Sequence, residues 1–102
     1  MILEHALLDV VPGHEAEFER AFAQASPLIA SIDGYLGHTL RRGVEHSSRY
    51  LLLVRWRRLE DHTRGFRDSP QYQDWKRLLH HFYAPFPAVD HFGPVLVGSD
   101  LA

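Results

Sequence analysis

The segment Arg49 to Arg57 (RYLLLVRWR) constrains the fold of this chain more than any other part of the sequence. Its central residues Leu51 to Val54 are all apolar, and successive side chains of a strand point to opposite faces of a sheet. Leaving a large apolar side chain in water forfeits about 1.5–3 kcal/mol of burial free energy. We therefore predict a central strand that is covered on both faces.

Three further segments are predicted to be strands: residues 2–11, Tyr35 to Arg42 and Val89 to Val97. The second of these strands carries more polar residues than the others, and the last contains Pro94, which cannot donate a hydrogen bond to a neighbouring strand. Both are therefore expected at the edges of the sheet. The two most apolar strands, the first and the third along the chain, are then central.

Between these strands the apolar residues recur with the period of a helix. A first helix is predicted from His14 to Ile32, and Ser26-Pro27 predicts either a kink in it or a second short helix, because Ser is a good N-cap and Pro suits the first helical position. A helical start at residues 59–62 leads to Phe66, and Ser69-Pro70 begins the last helix. The order β-α-β-β-α-β predicts a ferredoxin-like α+β fold with a four-stranded antiparallel sheet.

The length of the chain limits the number of layers. With 102 residues and no linker, we expect residues 1–102 to form a single domain. Two helices can cover only one face of a four-stranded sheet, and the other face would expose an apolar patch too large for a monomer. We therefore predict a homodimer that is joined through the sheet faces.

Composition excludes several classes of function. The chain contains no cysteine, which excludes disulfides, thiolate nucleophiles, iron–sulfur clusters and cysteine-based zinc sites. Its formal net charge of −2 comes from interspersed acids and bases, which argues against a nucleic-acid partner. No apolar stretch approaches the ~20 residues of a membrane span, and the N-terminus is not a secretory signal, so we expect a cytoplasmic protein without a membrane partner. No phosphate-binding loop and no metal-binding histidine spacing appear, so neither a cofactor nor a metal is predicted.

Several short motifs together resemble a known family. They are Pro12-Gly13, Asp33-Gly34-Tyr35, Arg49 to Val54 with Trp56, Leu59 to His62, Phe66 to Pro70 with Tyr72 and Trp75, and Val89 with His91-Phe92. Over about residues 2–96 the chain resembles the antibiotic biosynthesis monooxygenase (ABM) domain, a family of the dimeric α+β barrel superfamily. The resemblance implies a pocket between the helices and the sheet. It also implies cofactor-free oxygenation of electron-rich phenols, as in some members, or heme degradation, as in others.

The residues of the heme-degrading relatives are not matched in this sequence. Those relatives use an Asn, a Trp and an axial His, and their places are taken here by Ala6, by Gly65 or Phe66, and by Lys76. Trp75 and His80 or His81 lie near two of these places. Heme binding therefore stays a third alternative.

Aromatic and titratable residues supply the candidate site. The aromatic candidates pack in the core, line a pocket for an aromatic ligand, or do both. They are Trp56, Phe66, Tyr72, Trp75, Phe82 and Tyr83. His62 is either an exposed or capping histidine, or a general base for a phenolic proton, since an imidazole pKa near about 6.5 suits that task. Tyr72, His81 and His91 are the other candidate catalytic residues, although adjacent His80 and His81 are also expected on the surface.

Together with these residues, the resemblance to the ABM family implies a cofactor-independent monooxygenase acting on small phenolic or quinone-like aromatic compounds. The alternative is a non-catalytic module of the same fold that binds a small molecule or another protein. A cavity of about 300 Å³ or more that one or two histidines face favours the enzyme, whereas side chains that fill the space favour the module.

Overall fold

The computed structural model describes residues 1–98, so the last four residues of the predicted domain lie outside the described part. Four strands form one antiparallel sheet: β1 (Ile2–Asp9), β2 (Tyr35–Arg42), β3 (Arg49–Trp56) and β4 (Val89–Phe92). Their order across the sheet is β2-β3-β1-β4. This confirms the ferredoxin-like α+β fold with the first and third strands at its centre.

Two helices pack on one face of this sheet, namely α1 (Glu15–Ala30) and α2 (Pro70–Leu79). A short π-helix, Asp61–Phe66, lies between β3 and α2, and a 3₁₀ turn, His80–Phe82, follows α2. The predicted Ser69 cap is confirmed, because the Ser69 hydroxyl oxygen accepts the backbone N–H of Tyr72 at 3.2 Å. Within residues 1–98 no helix is long and apolar enough to cross a membrane.

Of the two alternatives predicted at Ser26-Pro27, the second short helix is not formed, because α1 continues through Pro27 to Ala30. The Ser26 hydroxyl donates backwards to the Phe22 carbonyl at 3.0 Å, so it does not cap a new helix. The same oxygen lies 3.2 Å from His38 Nε2, which places Ser26 against β2.

Two strands are shorter than predicted. β4 ends at Phe92, which pairs with Leu3 near the start of β1, and Pro94 therefore lies beyond the strand. β1 ends at Asp9, and the next residue, Val10, bridges instead to Tyr83.

The core lies between the sheet and the two helices. Alternate residues of β1 and β3 point towards the helices and are buried: Ala6, Leu8, Tyr50, Leu52, Val54 and Trp56. They pack with buried residues of the helices, which are Phe18, Phe22, Ala25, Ile29, Trp75 and Leu79. Each large apolar side chain in this set contributes about 1.5–3 kcal/mol by leaving water.

The opposite face of the sheet has no helix over it in the described part of the chain. Leu3, Leu51 and Leu53 are half-buried there, and Leu7 and Phe92 are exposed. The predicted strand with apolar side chains on both faces is therefore present in β3. We call the five residues Leu3, Leu7, Leu51, Leu53 and Phe92 the open apolar face.

Gly34, at the entry to β2, touches the buried Asp61 of the π-helix. A Cβ atom at Gly34 would lie 2.1 Å from Asp61 Oδ2, and the φ angle of Gly34 is +91°. The Asp61 carboxylate cannot easily retreat, because it accepts the Arg58 backbone N–H at 3.1 Å. The motif Asp33-Gly34 thus allows the π-helix to pack on the end of the sheet.

Replacing Gly34 by Ala is expected to lower the free energy of unfolding by about 2–4 kcal/mol, since steric overlap adds to left-handed backbone strain. Gly13→Ala is the matched control, because its φ is +93° and no atom lies within 4 Å of the added Cβ. That control should lose only about 1–2 kcal/mol of backbone strain. Urea unfolding of both variants measures the difference, and equal losses would show that the contact with Asp61 is not limiting.

Candidate active site

A cavity of about 190 Å³ lies between the sheet and the segment that runs from the π-helix to β4. Its apolar lining is formed by Ala6, Leu8, Leu52, Phe66, Trp75, Phe86, Pro87 and Val89. Its polar lining is formed by Glu4, His62, Arg67, Tyr72, His80 and Tyr83. The cavity thus has ring walls on several sides and a group of titratable side chains.

The size of the cavity limits what it can hold. Two histidines, His62 and His80, line it, but its volume of about 190 Å³ is below the about 300 Å³ expected of an enzyme pocket. An apolar protein cavity of about 150 Å³ can hold benzene. The volume therefore suits one aromatic ring with a small substituent, and a heme is too large for it.

A line of polar contacts closes one end of the cavity. The Trp56 indole Nε1–H donates to Glu4 Oε1 at 2.9 Å. His62 Nε2 lies 3.3 Å from the same oxygen, and His62 Nδ1 lies 2.7 Å from His91 Nε2. Both ring nitrogens of His62 therefore have partners within the protein.

The strand register brings these residues together. Glu4 on β1 pairs directly with His91 on β4, so both side chains project from the helix-covered face. Trp56 ends β3, and its indole ring stacks on the His62 ring at a centroid distance of 5.4 Å. Of His91 and Phe92, it is His91 that faces the helices, whereas Phe92 packs against His5 on the other face.

Burial sets the charges at this end of the cavity. Burial lowers the pKa of His62 to about 3, and the charges of Arg67 and His91 add to this effect. Burial raises the pKa of Glu4, and the Trp56 hydrogen bond and Arg67 oppose that rise. His62 is therefore uncharged at neutral pH. The arrangement that satisfies every contact has His62 protonated at Nε2, towards Glu4, and accepting the His91 N–H at Nδ1.

The prediction of an exposed or capping role for His62 is wrong, since only 3% of its surface is exposed. His81, a predicted catalytic residue, is exposed and does not line the cavity; its ring packs on Phe82 instead. Its neighbour His80 lines the cavity, where burial and Lys76 lower the pKa of the imidazole. The 3₁₀ turn after Leu79 places His80 inwards and His81 outwards.

Four of the predicted aromatic residues line the cavity: Phe66, Tyr72, Trp75 and Tyr83. Trp56 does not line it, because it lies fully buried behind His62 and Glu4. Phe82 does not line it either, because its ring packs against Phe18 in the core at a centroid distance of 5.8 Å. Trp56 and Phe82 therefore pack in the layer next to the cavity lining and do not contact the cavity.

Glu4 and Arg67 were not predicted as site residues, and His80 was predicted on the surface or near the heme-ligand position of the relatives. For Glu4 a signal was present: Glu4, Ala6 and Leu8 alternate along β1, so a carboxylate is in phase with the buried face of a central strand. A charged residue in that position is rarely tolerated without partners. Arg67 and His80 carry no comparable signal.

A second polar cluster lies outside the cavity. Tyr35 Oη and Ser26 Oγ contact the two ring nitrogens of His38. Because the Ser26 hydroxyl donates to a helix carbonyl, its proton is not available to His38, and the cluster lacks the arrangement of a nucleophilic serine. Among residues 1–98, no group of three potential ligands is placed to hold a metal ion.

Comparison with known proteins gives consistent matches over most of the chain. Residues 1–78 match the sequence profile of a family described as antibiotic biosynthesis monooxygenase. The chain is 54% identical over 95 residues to the uncharacterized protein YczJ of Bacillus subtilis (strain 168), a match that covers 93% of this chain and 100% of YczJ.

Solved structures share the same architecture. A Bordetella bronchiseptica protein assigned to the antibiotic biosynthesis monooxygenases superposes with a TM-score of 0.88 at 40% identity, covering 93% of this chain and 97% of that one. SnoaB, a cofactor-independent oxygenase from Streptomyces nogalater, superposes with a TM-score of 0.78 at 21% identity, covering 94% and 95% of the two chains. At that identity, the likeness to SnoaB concerns the fold alone.

The burial of neutral His62 predicts a pH-dependent loss of stability. Between pH 7.5 and 5.5 the unfolded chain takes up a proton on His62, near the usual imidazole pKa, while the folded chain does not because its His62 pKa is about 3. The free energy of unfolding should therefore fall as the pH falls. His62→Gln should remove about 1 kcal/mol of that fall.

Urea unfolding at the two pH values measures this slope. Glu4 acts with the opposite sign, because its raised pKa lets the folded chain take up a proton as the pH falls, but it is present in both proteins. His46→Gln, at an exposed turn position, is the control and should retain the slope of the original chain. An unchanged slope in His62→Gln would contradict a depressed His62 pKa.

Proposed function

The chain belongs to the antibiotic biosynthesis monooxygenase family, and from this premise we propose that it is a cofactor-independent monooxygenase acting on a small phenolic or quinone-like compound. The cavity supports the proposal most directly, because aromatic rings line it and titratable side chains close one end. Phe66, Tyr72 and Trp75 offer flat surfaces for an aromatic ring. Arg67, which also lines the cavity, offers a positive charge to an ionised phenol.

The proposed reaction needs only the substrate and dioxygen. The phenol loses its proton, and the phenolate gives one electron to O₂. The two radicals join to form a carbon–oxygen bond at the para carbon, and the resulting peroxide takes up the proton. Loss of water, together with the para hydrogen, leaves a carbonyl. The sum is phenol + O₂ → para-quinone + H₂O, in which the substrate supplies all four electrons.

Within this reaction the protein provides a place for the proton and an environment for the phenolate. The buried pair of Glu4 and His62 receives the proton, since burial raises the pKa of Glu4 and His62 contacts its carboxylate. Where ring walls replace water beside the phenolate, its interaction with Arg67 is stronger than in bulk solvent. Proton removal is the step that these residues can assist.

The small volume of the cavity favours a second candidate function. At about 190 Å³ it resembles a partly filled core more than a large substrate pocket. A binding module of the same fold would hold a small aromatic compound in this cavity and leave it unchanged.

We also propose a homodimer that is joined through the open apolar face. The supporting observation is the half-buried or exposed state of the five residues of the open apolar face. Leu7 pairs with Leu51 across β1 and β3, and Leu3 pairs with Phe92 across β1 and β4, with His5 between the two pairs. A second copy of the same face would bury this patch on both chains. It would thereby provide the cover that the apolar side chains on both faces of β3 require.

Light scattering after gel filtration is expected to give twice the chain mass of 11.8 kDa. Leu53→Asp, at the centre of the open apolar face beside His5 and Thr39, should shift the mass to that of one chain, because a carboxylate would be buried in the contact. Val44→Asp, at the exposed β2–β3 turn, should leave the mass unchanged. A single-chain mass for the unmodified protein at micromolar concentration would refute the dimer.

Oxygen uptake by the purified protein is expected to exceed the non-enzymatic rate for at least one member of a panel of single-ring phenols, hydroquinones, naphthols and anthrones. His62→Gln should lower kcat/KM at least about tenfold, because Glu4 loses the imidazole that holds its carboxylate in place. His46→Gln, at the exposed turn, should retain the full rate.

Two further measurements identify the reaction type. Added catalase should return no oxygen, since water and not hydrogen peroxide is the second product, and one atom of labelled O₂ should appear in the quinone. No uptake across the panel, together with measurable binding of the same compounds, would favour the binding module.

A further inference from the structure

We propose that Glu4 takes the proton directly from a single-ring phenol bound in the cavity, with His62 and His91 as positioning residues behind it. This inference rests on the proposed function and adds the identity of the base and the size of the substrate. It assigns a role to the one acidic side chain that lines the cavity within residues 1–98.

His62 is poorly placed to take the proton itself. Its Nδ1 lies 2.7 Å from His91 Nε2, and its Nε2 lies 3.3 Å from Glu4 Oε1. A substrate hydroxyl could reach a ring nitrogen only by displacing one of these partners. With a pKa of about 3, the His62 imidazole is also a weak base.

Glu4 has the placement that His62 lacks. Its side chain is 5% exposed, lines the cavity and is fixed through Oε1, which faces both Trp56 Nε1 and His62 Nε2. Oε2 is therefore the oxygen left for a bound molecule. Burial raises the pKa of Glu4, which makes its carboxylate a stronger base than a surface glutamate.

The positive charge needed by a phenolate is at the same end of the cavity. Arg67 lines the cavity, and its charge acts on Glu4 and on His62. Once the proton is on Glu4, the negative charge rests on the substrate oxygen, where the guanidinium can pair with it. The other titratable groups that line the cavity are Tyr72, His80 and Tyr83; burial raises the pKa of Tyr83 and lowers that of His80, so both stay uncharged.

The single-ring limit follows from volume and from the walls. The cavity has a volume of about 190 Å³, and a cavity of about 150 Å³ can hold benzene. The difference leaves room for little more than one substituent on a single ring. Phe66 and Tyr72 meet edge to face at a centroid distance of 5.1 Å, and Phe66 meets Trp75 in the same way at 5.5 Å. These packed rings oppose an enlargement of the cavity for a fused second or third ring.

The test uses 4-nitrophenol, a single-ring phenol whose ionised form is yellow, with the full chain at a pH where the free compound is mostly un-ionised. Binding to the unmodified protein should produce the phenolate absorbance. Glu4→Gln should bind the compound with at least about tenfold less phenolate, whereas His62→Gln should still produce phenolate. Glu17→Gln, on the exposed side of α1, is the matched control and should behave like the unmodified protein.

A second measurement avoids substitution of a buried residue. On binding of 4-nitrophenol, the infrared difference spectrum of the unmodified protein should gain the carbonyl band of a protonated carboxylic acid, and ¹³C-labelled glutamate should shift that band. Absence of the band would overturn the proposal. So would undiminished phenolate in Glu4→Gln, or loss of phenolate in His62→Gln alone.

The outcome separates this inference from the monooxygenase proposal, because no oxygen chemistry is involved. Phenolate formation on Glu4 without oxygen uptake on any substrate would refute the monooxygenase and leave the assignment of Glu4 intact. Oxygen uptake that survives in Glu4→Gln would refute the assignment of Glu4 and leave the monooxygenase intact.

Discussion

The site depends on a carboxylate that is buried in the helix-covered face of a central strand. An ionised group in that position is costly unless other groups satisfy it, and Glu4 has Trp56 and His62 as partners at one oxygen. Those partners come from the end of β3 and from the π-helix that follows it. The packing of the π-helix against the sheet, which Gly34 allows, therefore also brings His62 to Glu4.

The architecture could be predicted because its signals are local. The apolar run in β3 and the polar residues of β2 rank these strands as central and edge without any knowledge of contacts. The errors concern segments whose local preferences fit two structures. Ser26 has the chemistry of a helix cap, but its hydroxyl donates to the Phe22 carbonyl within α1. The edge position of β4 was predicted from Pro94, which lies beyond the strand.

The site could be predicted only in part, because its geometry joins distant segments. His62, His91 and four of the aromatic residues were identified from residue type and spacing. The role of Glu4 requires the pairing of β1 with β4, which places it beside His91, and this pairing cannot be read from either segment alone. The choice between His80 and His81 depends on the change from α2 to a 3₁₀ turn after Leu79, in which each residue turns about 20° further around the axis than in an α-helix.

Burial makes Glu4 a better proton acceptor than a surface glutamate. In the free protein, burial disfavours the negative charge on Glu4 and also disfavours a proton on His62. No proton transfer between the two residues can therefore remove the buried charge. A bound phenol can donate its proton to Glu4 and so neutralise it. The negative charge then lies on the phenol oxygen, next to Arg67. A phenolate formed there is the species that can give an electron to dioxygen, so the fold and the proposed chemistry have one physical origin.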